Sequence, residues 1–345
     1  MTEKTTTNTL SLQRFLLVNV GLLFFLCICL VAGSVFGPGG VHLSDLFPLD
    51  PSTNPVAATV IWLRLPRTLL AALVGMALGS VGVAFQSFLR NPLADPFIMG
   101  VSGGAALGGT LAIVFFGGIG AGLVLQGPAA FLGAAVATVL VYRMAIVGGS
   151  IHTTTILLVG VVFNSFASAV IMFLKAVVTA TKAQEMLFWL MGTLGSPDYS
   201  TLCLLAIGVV IGIGVLSFHT SAMNALSLGE QGAAQLGVNV ERAKIWVFFG
   251  ASLLTGLAVS VSGLIGFVGL IVPHLCRLVL GPDHRLLLPA SALGAGAFLV
   301  LADLLARLMF IPLTTEPPVG VITAFLGGPF FLFLLRKRHQ TAFMG

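Results

Sequence analysis

The side chains able to do chemistry in this chain are few, and arginines stand out among them. Arg64 and Arg67 lie three apart around Pro66 at the start of a long apolar run, and Arg307 stands at the end of another. Guanidinium groups so placed either snorkel toward lipid head groups as anchors or present paired donors to carboxylates of a docking protein. On the residues alone both readings stand. Asp303, four residues before Arg307, is the acidic residue closest to the interior of an apolar run. An i,i+4 spacing puts the two on one helix face, so local pairing is expected there rather than a proton relay.

Uncharged polar groups form a second set. Thr153, Thr154 and Thr155 begin one apolar run, and Asn164 and Ser165 lie inside it. They serve either interhelical hydrogen bonding or the lining and inner gate of a water-filled path. A third set lies in His219 to Lys244, the one sustained polar stretch between hydrophobic halves. Its core, SLGEQGAAQLGV, predicts one or two short helices divided by glycine, with Ser227 as an N-cap and Gly237 as a C-cap. Ala233, Ala234 and Leu236 would give such a helix a small, smooth apolar side. It is either an ordinary loop or a helix offered to a partner protein.

Several chemistries find no seat. There is no G-x-x-x-x-G-K-[ST], so the chain itself is not expected to hold ATP as a P-loop protein does. H-E-x-x-H and G-x-S-x-G are missing too, and no His, Asp or Glu cluster has metal-ligand spacing. The six histidines are dispersed. Cys27, Cys29, Cys203 and Cys276 all sit in apolar segments without zinc-like pairing, which suits buried or lipid-facing thiols. No enzyme, cofactor or metal centre is expected.

The elements that position these groups are membrane spans. Of 345 residues, 57% are hydrophobic and 8% charged, and the mean hydropathy is +1.09. Soluble domains carry about 25% charged residues. At roughly 20 apolar residues per span the length accommodates about ten helices and no sizeable soluble domain. The apolar runs fall near 14–36, 65–88, 96–116, 121–142, 154–178, 201–218, 244–264, 266–280, 286–306 and 319–335. The first exceeds a signal-peptide core and lacks a clear cleavage site, so it is expected to be retained. The eighth is short and contains Pro273, predicting a broken or tilted helix. The 42 glycines suit close helix packing in lipid.

Basic residues set the orientation. Lys4, Arg14, Arg90, Arg143, Arg242, Lys244, Arg277, Arg285, Arg336, Lys337 and Arg338 fall on one side. Arg64, Arg67, Lys175, Lys182 and Arg307 fall on the other. The positive-inside rule then puts both termini in the cytoplasm and accounts for the net charge of +5 without nucleic acid. Gly37 to Leu63 is expected to be an outer loop with little helix. In Thr179 to Ser200, MLFWLM predicts a short interfacial helix, with Trp189 and Tyr199 in the aromatic belt. Asp95-Pro96 should cap the third span. The turns RNPLADP and GPDHRLLLP both pair prolines with Asp and Arg, a weak sign of an inverted repeat.

Taken together, RLPRT, NPLADPFIMGVSGGAALG, LGEQGAAQLGVN, SGLIGFVGLIVPHLCRLVLGPDHRLLLPASALGAG, LARL and PPVGVITAFLGGPFFLFLLRKR resemble the FecCD family. These are permease subunits of ABC importers for iron–siderophores, haem and vitamin B12. The likeness runs from about residue 60 onward in five ordered motifs, LARL and the C-terminal segment counted as one. It implies an all-α, ten-helix permease of the type II ABC importer architecture, one transmembrane domain over 1–345, with a cytosolic N-terminus near 1–13 and a coupling region near 219–244.

The resemblance further implies a homodimer, two cytosolic ATPase subunits carrying ATP and magnesium, and a periplasmic or lipid-anchored binding protein. It implies residence in a bacterial or archaeal cytoplasmic membrane. Leu228, Gly229, Glu230, Ala233, Ala234, Leu236 and Gly237 match the coupling helix. Arg64, Arg67 and Arg307 match arginines that face acidic residues of the binding protein. Thr153, Thr154 and Thr155 match, more loosely, the region where related permeases narrow to a cytoplasmic gate, and Asn164 joins them as a pathway or gate candidate from its own place in the span. The cargo would be a metal chelate, first a ferric siderophore, with cobalamin or haem as close alternatives. An ion-coupled transporter working alone is the distant one, since it would want buried carboxylates and finds only Asp303.

Overall fold

The computed structural model describes residues 11–38, 47, 50–117 and 122–342. Each of the ten expected spans coincides with a helix: Leu12–Val35, Leu65–Phe88, Val101–Phe116, Gly122–Ala145, Thr153–Val177, Tyr199–Phe218, Val240–Ser262, Val268–Leu280, His284–Leu308 and Val319–Ala342. They are called spans 1 to 10 below. Seven are long and apolar enough to cross a membrane, while spans 3, 8 and 10 offer shorter apolar helices. The residues expected in a cytosolic N-terminus lie largely outside the described ones, as does part of the outer loop.

Local chemistry explains where these helices start. Ser11 accepts from Arg14 N at 3.2 Å, Asn239 from Arg242 N at 3.0 Å, and Asp283 from Arg285 N at 3.0 Å, each satisfying a free first-turn amide. Asp198 does the same for span 6, and hydrogen bonds from Ser200 and Thr201 pull its carboxyl down to about 2. Its usual value is 3.8, so the cap contributes fully above that pH and is lost as pH falls through about 2. Asp198→Asn should therefore narrow the stability difference between pH 5 and pH 3, measured by thermal unfolding. An unchanged difference would remove the carboxylate from this role.

Spans 2 and 7 form the middle of the bundle: 83% of span 2's apolar window is buried, against 11% for span 1. Span 2 reaches its neighbours through glycines. A Cβ built on Gly82 would lie 1.8 Å from Gly269 O of span 8, and one on Gly75 would lie 2.3 Å from Ala295 O of span 9. Backbone is thus packed on backbone, as small residues permit in lipid. Span 8 is short as expected. It starts after a non-helical stretch, with Phe267 in the left-handed region at φ 68°, and holds Pro273 inside.

Four expectations are corrected. Asp95 caps not span 3 but a separate single turn, Pro96–Met99, by accepting from Phe97 N at 2.9 Å; Gly100 at φ 86° then redirects the chain into span 3. Burial pushes the Asp95 carboxyl up. The outer loop is partly helical, because Asn54 and Pro55 start a turn that runs through a wide π-helical turn, Val60–Arg64, into span 2. MLFWLM does lie in a short helix, Ala180–Met191, yet Trp189 is buried against Gly109 rather than standing in a belt. Ser227 ends the helix Thr220–Leu226 instead of starting the next.

Candidate functional site

The polar groups collect at opposite ends of the bundle. At one end Arg64, Arg67 and Arg307 come together with two carboxylates. Arg64 is spent inside the chain: Nη1 donates to Val35 O at 2.6 Å and Nη2 to Pro38 O at 2.9 Å, closing the end of span 1. Arg67 donates Nε and Nη2 to Asp303 Oδ1 at 2.9 and 2.8 Å and pairs also with Glu316. Arg307 Nε lies 3.0 Å from Asp303 Oδ2, an ionic contact without hydrogen-bond alignment, and its two terminal nitrogens meet no protein acceptor among the described residues.

Asp303 is fully buried, whereas the Arg67 side chain keeps 16% of its surface. The expected pairing of Asp303 with Arg307 is therefore present, with Arg67 as an unforeseen second partner. An open basic rim is not what the geometry gives. Three guanidinium groups stand against two carboxylates, and Arg67 is the most accessible of them.

At the opposite end the connection 219–244 folds into two helices, Thr220–Leu226 and Glu230–Gln235. Gly229 at φ 102° turns the chain into the second. Gly237 ends it as expected: Gly237 N donates to Ala234 O at 2.9 Å and Val238 N to Ala233 O at 3.1 Å. Ala233 does not share one apolar side with Ala234 and Leu236 as expected. It is buried against Ala225, Leu226 and Ala243, while Ala234 is exposed, with Leu228 and Leu236 bare at 72% and 65%.

This pair of helices is tied to the spans on two sides. Asn224 donates to Asp283 Oδ1 at 2.8 Å and accepts from His284 N at 2.9 Å, which clasps the first helix to the start of span 9. Lys244 Nζ lies 2.8 Å from Glu230 Oε2 and 2.7 Å from Ile151 O, which clasps the second to a small hairpin, β1 (Ile146–Val147) with β2 (Ser150–Ile151). Sequence reasoning used Lys244, Glu241 and Asn224 only for charge counting or not at all. The one available signal was Glu241 three residues before Lys244 at a span start.

Of the threonines opening span 5, Thr153 reaches Glu230 Oε1 at 3.5 Å and Thr154 is exposed; Thr155 is half-buried. Asn164 lies farther along. Its Nδ2 donates to Phe97 O at 2.7 Å, and its Oδ1, without a hydrogen-bond partner, fills the place a Cβ on Gly103 would take. It lines a cavity of about 450 Å³ with Phe97, Ser102, Gly103, Ser168 and Met172. The hydrogen-bonding role expected of Asn164 is therefore present, toward the turn before span 3. Among the described residues no group of His, Cys, Asp or Glu could hold a metal ion, and all four cysteines are free.

The pattern of the FecCD transport family matches residues 21–337. The cobalamin import system permease protein BtuC of Halobacterium salinarum is 48% identical over 293 residues, covering 85% of this chain and 76% of that one. The hemin transport system permease protein HmuU of Yersinia pestis is 40% identical over 327 residues, covering 93% and 96%. A solved inward-facing conformation of a metal-chelate type ABC transporter superposes with a TM-score of 0.81 at 31% identity, covering 94% of this chain and 99% of that one.

Proposed function

The chain belongs to the FecCD transport family, and from that premise we propose that it is the permease subunit of an ATP-driven importer. It carries a metal chelate, a ferric siderophore first of all, from periplasm to cytoplasm by alternating access. The observation that carries this reading is the pair of short helices at 220–235, seated on the spans by polar clasps while presenting Leu228 and Leu236 to the outside. Bare leucines on a polar connection suit a protein partner better than water. Two ATPase subunits, holding ATP and magnesium, dock there, and a second copy of the chain completes the pathway. Both termini then lie in the cytoplasm. The permease does no covalent chemistry of its own.

Names of the relatives favour a second cargo reading, cobalamin or haem. Each is again a large metal chelate, so the same machine would serve. The ion-coupled reading loses support, because Asp303 is already engaged by Arg67 and Arg307. At the other end we assign docking of the binding protein to Arg67 above all, with Arg64 and Arg307 holding the surface in shape. The surplus of one cation over the two local carboxylates suits an acidic partner.

Reconstitution of the full chain with its neighbouring ATPase and binding protein in vesicles tests the reading. Uptake of chelate that stops without ATP and survives collapse of ion gradients is expected; uptake by this chain alone would refute it. Changing Leu228 and Leu236 together to Asp should lower ATPase co-purification about tenfold or more, the loss of at least ~1.4 kcal/mol at the interface. Arg67→Glu should weaken binding-protein docking in a salt-sensitive way, and docking that ignores both the substitution and the salt would remove that assignment.

A further inference from the structure

Lys244 stands in the first turns of span 7, where a lysine could extend its amine to water. Instead it is 3% exposed, with three acceptors around Nζ: Ile151 O at 2.7 Å, Glu230 Oε2 at 2.8 Å and Glu241 Oε1 at 3.6 Å. Both carboxylates continue the connection. Glu230 Oε1 accepts from Thr153 Oγ1 at 3.5 Å, and Glu241 Oε2 accepts from Ile151 N at 3.0 Å. One ammonium therefore joins four pieces of chain: strand β2, the first residue of span 5, the helix Glu230–Gln235 and span 7.

Drawing the helix away from a buried ammonium costs it the nearer of two carboxylates without water to replace it, so such a junction resists being pulled apart. Pieces joined in this way shift together rather than past one another. We propose that Lys244 is a positioning residue that makes the helix Glu230–Gln235 and the beginning of span 5 one mechanical body. A displacement of that helix by an ATPase subunit is then delivered at Thr153, where the polar wall of span 5 begins. This role rests on the reading of the chain as an ATP-driven permease.

The test uses the reconstituted complex and reads transport per ATP hydrolysed. Lys244→Met and Glu230→Gln should each lower that ratio about tenfold, in the range of ordinary coupling energies, with the ATPase subunits still co-purifying. The double variant should be no worse than the poorer single one, because both remove the same link. Losses that multiply, or a wild-type ratio in Lys244→Met, would overturn the role. Should Lys244→Met not fold, Glu230→Gln remains informative, since Lys244 keeps Ile151 and Glu241.

Spin labels on the exposed positions Thr154 and Gln231 give a readout that a merely structural lysine would not move. Their separation should stay constant through the ATP cycle in the unaltered complex and vary in Glu230→Gln. A separation that changes with ATP in the unaltered complex sinks the proposal. Lack of any ATP-driven uptake by that complex overturns the permease reading and this role with it, whereas uptake with multiplying losses overturns this role alone.

Discussion

Asp303→Ala is expected to destabilise the protein by about 3–5 kcal/mol, the range for breaking a buried ion pair from one side. Asp303 is fully buried between two arginines that span 236 positions of sequence on one side and a single helical turn on the other. Without it, Arg67 retains its pairing with Glu316, but Arg307 retains only the more distant attraction of that carboxylate, since none of its nitrogens has a hydrogen-bond acceptor among the described residues. The cost arises from that stranded charge more than from the lost attraction. Removing both partners should then be milder: Asp303→Leu with Arg307→Met exchanges an ionic contact for apolar packing, which buried pairs often tolerate. Thermal unfolding in a fixed lipid or detergent compares the two. A single variant melting within about 1 °C of the unaltered chain would mean less than ~1 kcal/mol and would refute the account.

That cluster also marks where sequence reading succeeded and where it stopped. The ten spans were legible because each is an apolar run of nearly helical-span length, and because caps such as Asn239 and Asp283 sit beside them. Asp303 with Arg307 was legible for the same reason, a one-turn spacing. Arg67 with Asp303 was not, because nothing in a linear string says which face of span 2 meets span 9. Arg64 looked like a free cation since the carbonyls it satisfies belong to the end of another helix.

The coupling region shows the same division. Gly237 as a helix stop follows from local backbone chemistry, and the structure has it. The inward turn of Ala233 does not follow, since in a six-residue helix the buried face is chosen by what lies beneath it. In the sequence Lys244 is one more basic residue beside a span. Its partners lie 93 residues upstream and 14 residues upstream, brought together only by the fold. Charge bias carries only an expectation of which side of the membrane it occupies, and packing shows what it holds.

Gly82→Val should leave little correctly packed protein, and even Gly82→Ala should destabilise by about 1–3 kcal/mol as overpacking does. A Cβ there would stand 1.8 Å from Gly269 O and 2.8 Å from Pro273 Cγ, so backbone and a rigid ring would have to move. Neither can swing aside as the end of a long side chain can. Gly214, on span 6, is the control: a Cβ there meets nothing within 4 Å. In a helix interior Ala is favoured over Gly by up to about 1 kcal/mol, so Gly214→Ala should be neutral or stabilising. The two substitutions are chemically identical and are expected to differ in sign, which separates close helix approach from helix propensity. Melting curves of both variants decide the matter, and equal shifts would deny that spans 2 and 8 touch backbone to backbone. Because spans 2, 8 and 9 join the arginine cluster at one end to the clasp on Thr220–Leu226 at the other, loosening Gly82 should also weaken the communication between them. Transport per ATP should therefore fall in Gly82→Ala even where the purified complex remains intact.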